Sequence, residues 1–265
     1  MTRLLSRRRL GGACVAAVVA VLTVTLSPAQ ASPTARISAG SEHILATMLA
    51  SDAKDAEAVS AQFLGTPYAA NTLVGSATEP EQLVVELQRV DCFTYADYVE
   101  ALKRGDDRDS FLENLTDVRY KDGVVAFENR RHFFTDWAAS SPALATDVTA
   151  AVSDDAVRTS KNLNQKDSGG VYLPGLPVVA RDVSYIPSGH VDDDVVSQLR
   201  TGDYVGAYAE DGGLDVTHVG IFIDTPAGPV FRNASSLDSS MQVVDTPLAD
   251  YVATVPGIVV LRPLR

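Results

Sequence analysis

Three residues carry the chemistry this chain can do: a thiol at Cys92, an imidazole at His218 and a carboxamide at Asn233. Cys92 stands in Val90-Asp91-Cys92-Phe93-Thr94-Tyr95, where a helix is expected to begin with Asp91 as its cap. A thiol in the first turn of a helix meets unpaired backbone N–H groups and the positive end of the dipole, which predicts a lowered pKa and a reactive thiolate. The same position also suits a buried, inert cysteine packing as a small apolar residue. A lone cysteine becomes a candidate nucleophile when a histidine can reach it. His218 lies mid-strand in Asp215-Val216-Thr217-His218-Val219-Gly220, a setting that taken alone reads as a satisfied core residue. If the hairpin closes with Asp224 opposite Pro229, Gly220 faces Asn233 and His218 is the diagonal neighbour of Asn233 on one face of the sheet. Gly220 leaves that face open, and the asparagine oxygen can hold one imidazole nitrogen while the other serves a thiol. A slip of one residue would put the pair on opposite faces.

The elements that must position these groups follow from periodicity. Ser41 is expected to cap a helix carrying Ile44, Leu45, Met48 and Leu49, and a second helix from Asp55 ends at Gly65. Gly65 and Pro67 then present Tyr68 on a turn, as a lid on the core or as a substrate wall. Alternation through Leu83, Val85 and Leu87 favours a strand. Past Cys92, apolar residues recur at helical spacing up to Gly105, and a shorter helix covers Ser110 to Leu115. Glu128 to Trp137 sets Arg130, Arg131 and His132 beside aromatic residues. That grouping suits an anionic, partly apolar ligand, with guanidinium matched to carboxylate, and equally suits an amphipathic segment with solvated arginines. Residues 140–189 are rich in Ser, Asp and Gly and are expected to form long loops walling a cleft. His43 and His190 read as surface groups. From Leu199 onward, turns at Thr201-Gly202-Asp203, Asp211-Gly212-Gly213 and Thr225-Pro226-Ala227-Gly228 separate short strands, an antiparallel meander. Helices first and strands after them predict an α+β fold.

Residues 1–31 have the form of an export signal: Arg3, Arg7, Arg8 and Arg9, an apolar run from Ala13 to Leu26, and a small-residue cleavage site at Ala29-Gln30-Ala31. Ser6-Arg7-Arg8-Arg9-Leu10 also resembles a twin-arginine signal. The apolar run is short for a permanent membrane anchor. Cleavage near Ala31 removes Cys14 with the peptide, leaving residues 32–265 as one domain of a secreted or cell-envelope protein. The formal charge is −12 for the whole chain; loss of the four arginines leaves 18 basic against 34 acidic residues, a net −16. Such a surface disfavours nucleic acid and anionic lipid. One remaining cysteine allows no internal disulfide. The four histidines are scattered, with no zinc-ligand spacing, so no metal or other cofactor is expected.

Leu64-Gly65-Thr66-Pro67-Tyr68, Asp91-Cys92-Phe93-Thr94, Arg130 to Trp137, Gly213 to Gly220 and Asn233-Ala234-Ser235-Ser236 occur in an order that resembles the N-acetylmuramoyl-L-alanine amidase-like family, related to NlpC-type, papain-like cysteine hydrolases of bacterial cell walls. The resemblance spans nearly all of residues 41–265. It implies a papain-like α+β fold with N-terminal helices packed on a C-terminal antiparallel sheet. It further implies Cys92 as nucleophile, His218 as base and Asn233 as the orienting residue, with muropeptide fragments of peptidoglycan as substrate. This chain departs from the family at Asn233, where the family usually carries histidine. The implied reaction is hydrolysis of the amide between N-acetylmuramic acid and L-alanine; a neighbouring bond of the stem peptide and a non-catalytic wall-binding module are the alternatives. Tyr68, Arg130 and His132 are the candidate substrate-binding residues.

Overall fold

The computed structural model describes residues 34–264, so the export signal expected over residues 1–31 lies outside the described residues. The N-terminal part runs β1 (Ala35–Ile37), α1 (Ala39–Leu49), α2 (Ala56–Ala61), β2 (Leu83–Val85), α3 (Cys92–Arg104), α4 (Arg108–Arg119) and α5 (Asp136–Ala139). There follow β3 (Ala145–Asp147), α6 (Thr149–Val152), β4 (Val157–Leu163), β5 (Val179–Pro187) and α7 (Asp193–Gln198). The chain closes with β6 (Tyr204–Tyr208), β7 (Val216–Thr225), β8 (Gly228–Ala234), β9 (Val243–Pro247), α8 (Leu248–Val252) and β10 (Gly257–Pro263).

β3 to β10 form one antiparallel sheet in the order β4-β5-β10-β6-β7-β8-β9, with β3 added to β10. β6 to β9 are the expected meander, and β10 crosses back to pair between β5 and β6. β1 and β2 make a separate parallel pair. The mixed architecture with a large antiparallel sheet is the α+β class that the order of helices and strands predicts.

Period-2 alternation divides the core between the two faces of the sheet. Val219, Ile221 and Ile223 of β7 join a larger core with Tyr95, Ala96 and Val99 of α3 and Trp137 of α5. Phe222 of β7 and Phe231 of β8 point to a second core closed by Val152 of α6, Val195 of α7 and Leu248 of α8. Helix α3 is almost wholly buried from Thr94 to Leu102 because it lies between α4, α2 and the sheet.

Three local expectations change. Ser38, not Ser41, caps α1, its hydroxyl accepting from the Ser41 N–H at 3.1 Å. Ser41 is instead buried, donating to Glu86 Oε1 and accepting from the Leu87 N–H, which fastens α1 to the segment before α3. The second helix ends at Ala61, and the αL turn at Gly65 comes after it. Residues 140–189 are not mainly loops: β4 and β5 pair in register from Val157 opposite Tyr185 to Leu163 opposite Val179. That hairpin is largely exposed, so it carries no apolar alternation to betray it. Lys161, one of its few buried residues, extends to the carbonyls of Ala209 and Asp211. Among the described residues no helix is long and apolar enough to cross a membrane.

Candidate active site

Asp91 starts α3 as the sequence predicts. Its carboxylate oxygen Oδ1 accepts from the N–H groups of Phe93 at 3.1 Å and Thr94 at 2.7 Å, while Thr94 Oγ1 accepts from the Asp91 N–H at 3.0 Å, a complete capping box. Cys92 is thereby fixed as the first helical residue. It is partly exposed, and with His132, Phe134, Asp215 and His218 it lines a cleft of about 170 Å³.

The expectation of a lowered thiol pKa is overturned. Burial, reinforced by the Asp91 carboxylate, pushes the Cys92 thiol up to about 12; the amides of Val219, Cys92 and Phe93 act the other way and are outweighed. The cap adds to the effect of burial. The carboxylate that initiates the helix competes for the Phe93 N–H, takes up that of Thr94 and adds a negative charge beside the sulfur. The Val219 amide of β7 also faces the sulfur and favours the thiolate.

The hairpin closes with Asp224 opposite Pro229, the register on which the sequence argument depends. His218 Nε2 lies 2.9 Å from Asn233 Oδ1. Asn233 Nδ2 donates to the Phe231 carbonyl at 3.2 Å and reaches Thr246 Oγ1 at 3.5 Å, so the amide nitrogen is committed elsewhere and Oδ1 must be the acceptor. His218 therefore carries its proton on Nε2, and Nδ1 is the basic nitrogen. Burial holds the His218 pKa below the usual imidazole value, with the Asn233 hydrogen bond opposing it. Gly220 does not leave the face empty as expected. A Cβ there would sit 2.5 Å from the Phe231 ring, so the glycine admits Phe231, which stands edge-on to His218 with centroids 6.0 Å apart.

The remaining predicted residues divide. Tyr68 sits on its turn, half-buried, its N–H donating to the Met241 carbonyl at 2.9 Å. Burial raises its phenol pKa, followed by the neighbouring Cys92 and Asp91, which puts it beside the thiol. His132 lines the Cys92 cleft directly. Arg130 lines an adjoining groove of about 550 Å³ that also includes Asp91, Phe127 and Leu173. The reading of Arg130 and Arg131 as a carboxylate clamp is corrected. Arg130 is bidentate to the buried Glu81, with Nε at 3.0 Å and Nη2 at 2.6 Å from Oε1, and Arg131 is buried against the carbonyls of Asp117, Tyr120 and Pro142. Neither guanidinium is available as an unpaired cation.

Sequence reasoning missed Tyr251 and Asp215. The Tyr251 ring stacks on Phe231 at 4.0 Å and lies 6.2 Å from His218, and Cys92 adds to the burial that raises its pKa. Nothing in a tyrosine on a five-residue helix marks it as a neighbour of the site. Asp215 Oδ2 accepts from the N–H of Thr135 at 2.6 Å and its hydroxyl at 2.8 Å, which ties the wall carrying His132 to the strand carrying His218. Its place in a motif with His218 was the available signal. Among the described residues no group of three or more His, Cys, Asp or Glu side chains is placed to hold a metal ion.

An α+β protein with a thiol, an imidazole and a carboxamide gathered where a helix start meets an open sheet ladder has the parts of an amide hydrolase. The chain belongs to the N-acetylmuramoyl-L-alanine amidase-like (AmiA-like) family, whose model matches residues 58–258. A crystal structure of an N-acetylmuramoyl-L-alanine amidase from Bacteroides uniformis ATCC 8492 is similar with a TM-score of 0.67 and 27% identity, covering 80% of this chain and 100% of that one. A structure from Bacteroides fragilis, provisionally named a xylanase, has a TM-score of 0.60 and 28% identity over 77% of this chain and 98% of its own. A Legionella pneumophila protein assigned to the DUF1460 family shares the fold, with a TM-score of 0.69 and 23% identity over 85% of this chain and 95% of that one. No curated protein matches.

Proposed function

We propose that the protein is an exported cysteine hydrolase of the papain-like, NlpC type that cleaves the amide between N-acetylmuramic acid and L-alanine in peptidoglycan fragments. The observation that carries the reading is the His218 Nε2 to Asn233 Oδ1 contact of 2.9 Å in a side-chain cluster that shares its cleft with Cys92. At rest the thiol and imidazole are both neutral, because burial opposes charge on each. His218 Nδ1 takes the thiol proton as sulfur attacks the carbonyl carbon, and the oxyanion forms against the Cys92 N–H, which the Asp91 cap leaves unused. The C–N bond breaks, the L-alanine amine departs with the proton from the imidazolium, and the lactyl acyl group remains as a thioester. Water, deprotonated by His218, then releases the free acid and restores the thiol. Asn233 keeps the imidazole in the productive tautomer throughout. Tyr68, Arg130 and His132 form substrate walls, and no metal or other cofactor takes part.

The test is mass spectrometry of muropeptides before and after incubation. The proposal expects an intact peptide beginning at L-alanine together with the free sugar acid. Fragments cut inside the stem would assign the bond to an endopeptidase instead. Undiminished binding with no turnover, in both the wild type and Cys92→Ala, would make the protein a wall-binding module. Export is tested by N-terminal sequencing of secreted protein, expected to begin near Ser32.

A further inference from the structure

A second imidazole, His132, stands in the wall of the Cys92 cleft and moves no proton in the mechanism above. His132 Nε2 lies 2.7 Å from the carbonyl oxygen of Phe127. A carbonyl can only accept, so Nε2 carries the proton and Nδ1 holds a lone pair. Nδ1 has no hydrogen-bond partner among the described residues and keeps accessible surface, and the residue lines the cleft. Phe127 meets the ring edge-on with centroids 4.8 Å apart, and its neighbours Arg131 and Phe133 are buried on either side along the chain. Burial, helped by Arg130 and Lys121 and opposed by the Phe127 carbonyl and Asp136, brings its pKa down to about 4, so it is neutral under ordinary conditions.

We propose that His132 Nδ1 is a fixed acceptor for an amide N–H of the substrate other than the one cleaved, and that it selects amide-bearing substrates over their ester analogues. The inference rests on the muropeptide reading above. A neutral acceptor flanked by Phe133 and Phe134 suits a neutral donor whose direction is set by its own peptide plane. An amide N–H entering that wall without a partner would lose its water and gain nothing in return. Two parts of a muropeptide offer such a donor: the 2-acetamido group of the sugar, and the peptide bond that follows L-alanine.

The experiment compares kcat/KM for three matched substrates: the parent muropeptide, one with the acetamido N–H replaced by an ester oxygen, and one with the second peptide N–H replaced in the same way. Wild type is expected to lose about ten- to a hundredfold on one analogue, and that analogue identifies the source of the donor. His132→Phe should be slower on the parent and indifferent to the replacement, while His132→Asn, which retains an acceptor, should recover part of the discrimination. Equal rates on all three substrates for wild type, or discrimination that persists in His132→Phe, overturns the inference and leaves the amidase reading standing. No turnover of the parent by wild type overturns both. Should His132→Phe fail to fold, 15N NMR of the wild-type ring decides: a proton on Nδ1 in place of Nε2 refutes the fixed acceptor.

Discussion

His218 and Asn233 sit on adjacent antiparallel strands, staggered by two residues, and meet through a 2.9 Å contact between Nε2 and Oδ1. The stagger matters, because Asn233 then engages Nε2 and leaves Nδ1 as the basic nitrogen. An Asn233→Ala change removes the acceptor that holds the tautomer, and turnover is expected to fall about a hundred- to ten-thousandfold. Asn233→His installs the residue that the family resemblance implies for this position; its neutral ring can accept from His218, so it should keep far more activity than the alanine variant. Rates measured beside thermal melts decide the matter. Unchanged turnover in Asn233→Ala at an unchanged melting temperature would reduce the site to a Cys92 and His218 dyad.

Cys92→Ala is expected to abolish turnover and leave the fold intact, since it deletes one sulfur at a partly exposed helix start. Cys92→Ser should be nearly as inactive, because a hydroxyl is a weaker nucleophile and needs stronger base assistance. Half-maximal activity of the alanine variant on muropeptides would refute the thiol mechanism.

Asp91 starts the helix and also raises the thiol pKa, and one substitution separates the two roles. Asparagine caps about as well as aspartate, so Asp91→Asn should leave the melting temperature nearly unchanged. Removing the charge lowers the thiol pKa, so iodoacetamide should alkylate Cys92 faster at pH 8 than in wild type. Asp91→Ala, by contrast, should lose about 1 kcal/mol of stability along with the cap. Equal alkylation rates in wild type and Asp91→Asn would refute an influence of Asp91 on the thiol.

Both cleft histidines are held neutral by burial, which makes stability depend on pH. In the unfolded chain each binds a proton near its ordinary pKa of 6.5, whereas His132 in the fold waits until about 4 and His218 also titrates below 6.5. Unfolded protein therefore binds more protons than folded protein between those values. The stability is present above about pH 6.5 and is lost as pH falls through the folded pKa values. For His132 the loss is on the order of 3 kcal/mol. Denaturant titrations at pH 7, 5.5 and 4.5 should show falling stability in wild type and a shallower fall in His132→Phe. Parallel slopes would remove His132 as a source. The acid limb of kcat/KM should likewise lie below the usual imidazole range, because His218 remains an unprotonated base there.

What could be read along the chain was short-ranged. Asp91 before Cys92 and an apolar period of 3.6 up to Gly105 are local signals, and α3 begins at Cys92 as they require. The turn at Thr225-Pro226-Ala227-Gly228 determines its own closure, and with it the register that brings Asn233 to His218, because pairing in a hairpin propagates from the turn. Tertiary structure decided the rest. The pKa of Cys92 depends on how much water the fold excludes and on which donors the cap has already taken, neither of which a sequence position reveals. Arg130 reads as a free cation until Glu81, 49 residues earlier, arrives beside it. Tyr251 reaches the site only because α8 packs across Phe231, and the β4–β5 hairpin exists through backbone pairing that its polar, exposed side chains do not announce. Periodic patterns encode burial averaged over an element, whereas charge neutralisation and solvent exclusion at a single atom depend on partners brought from distant parts of the chain.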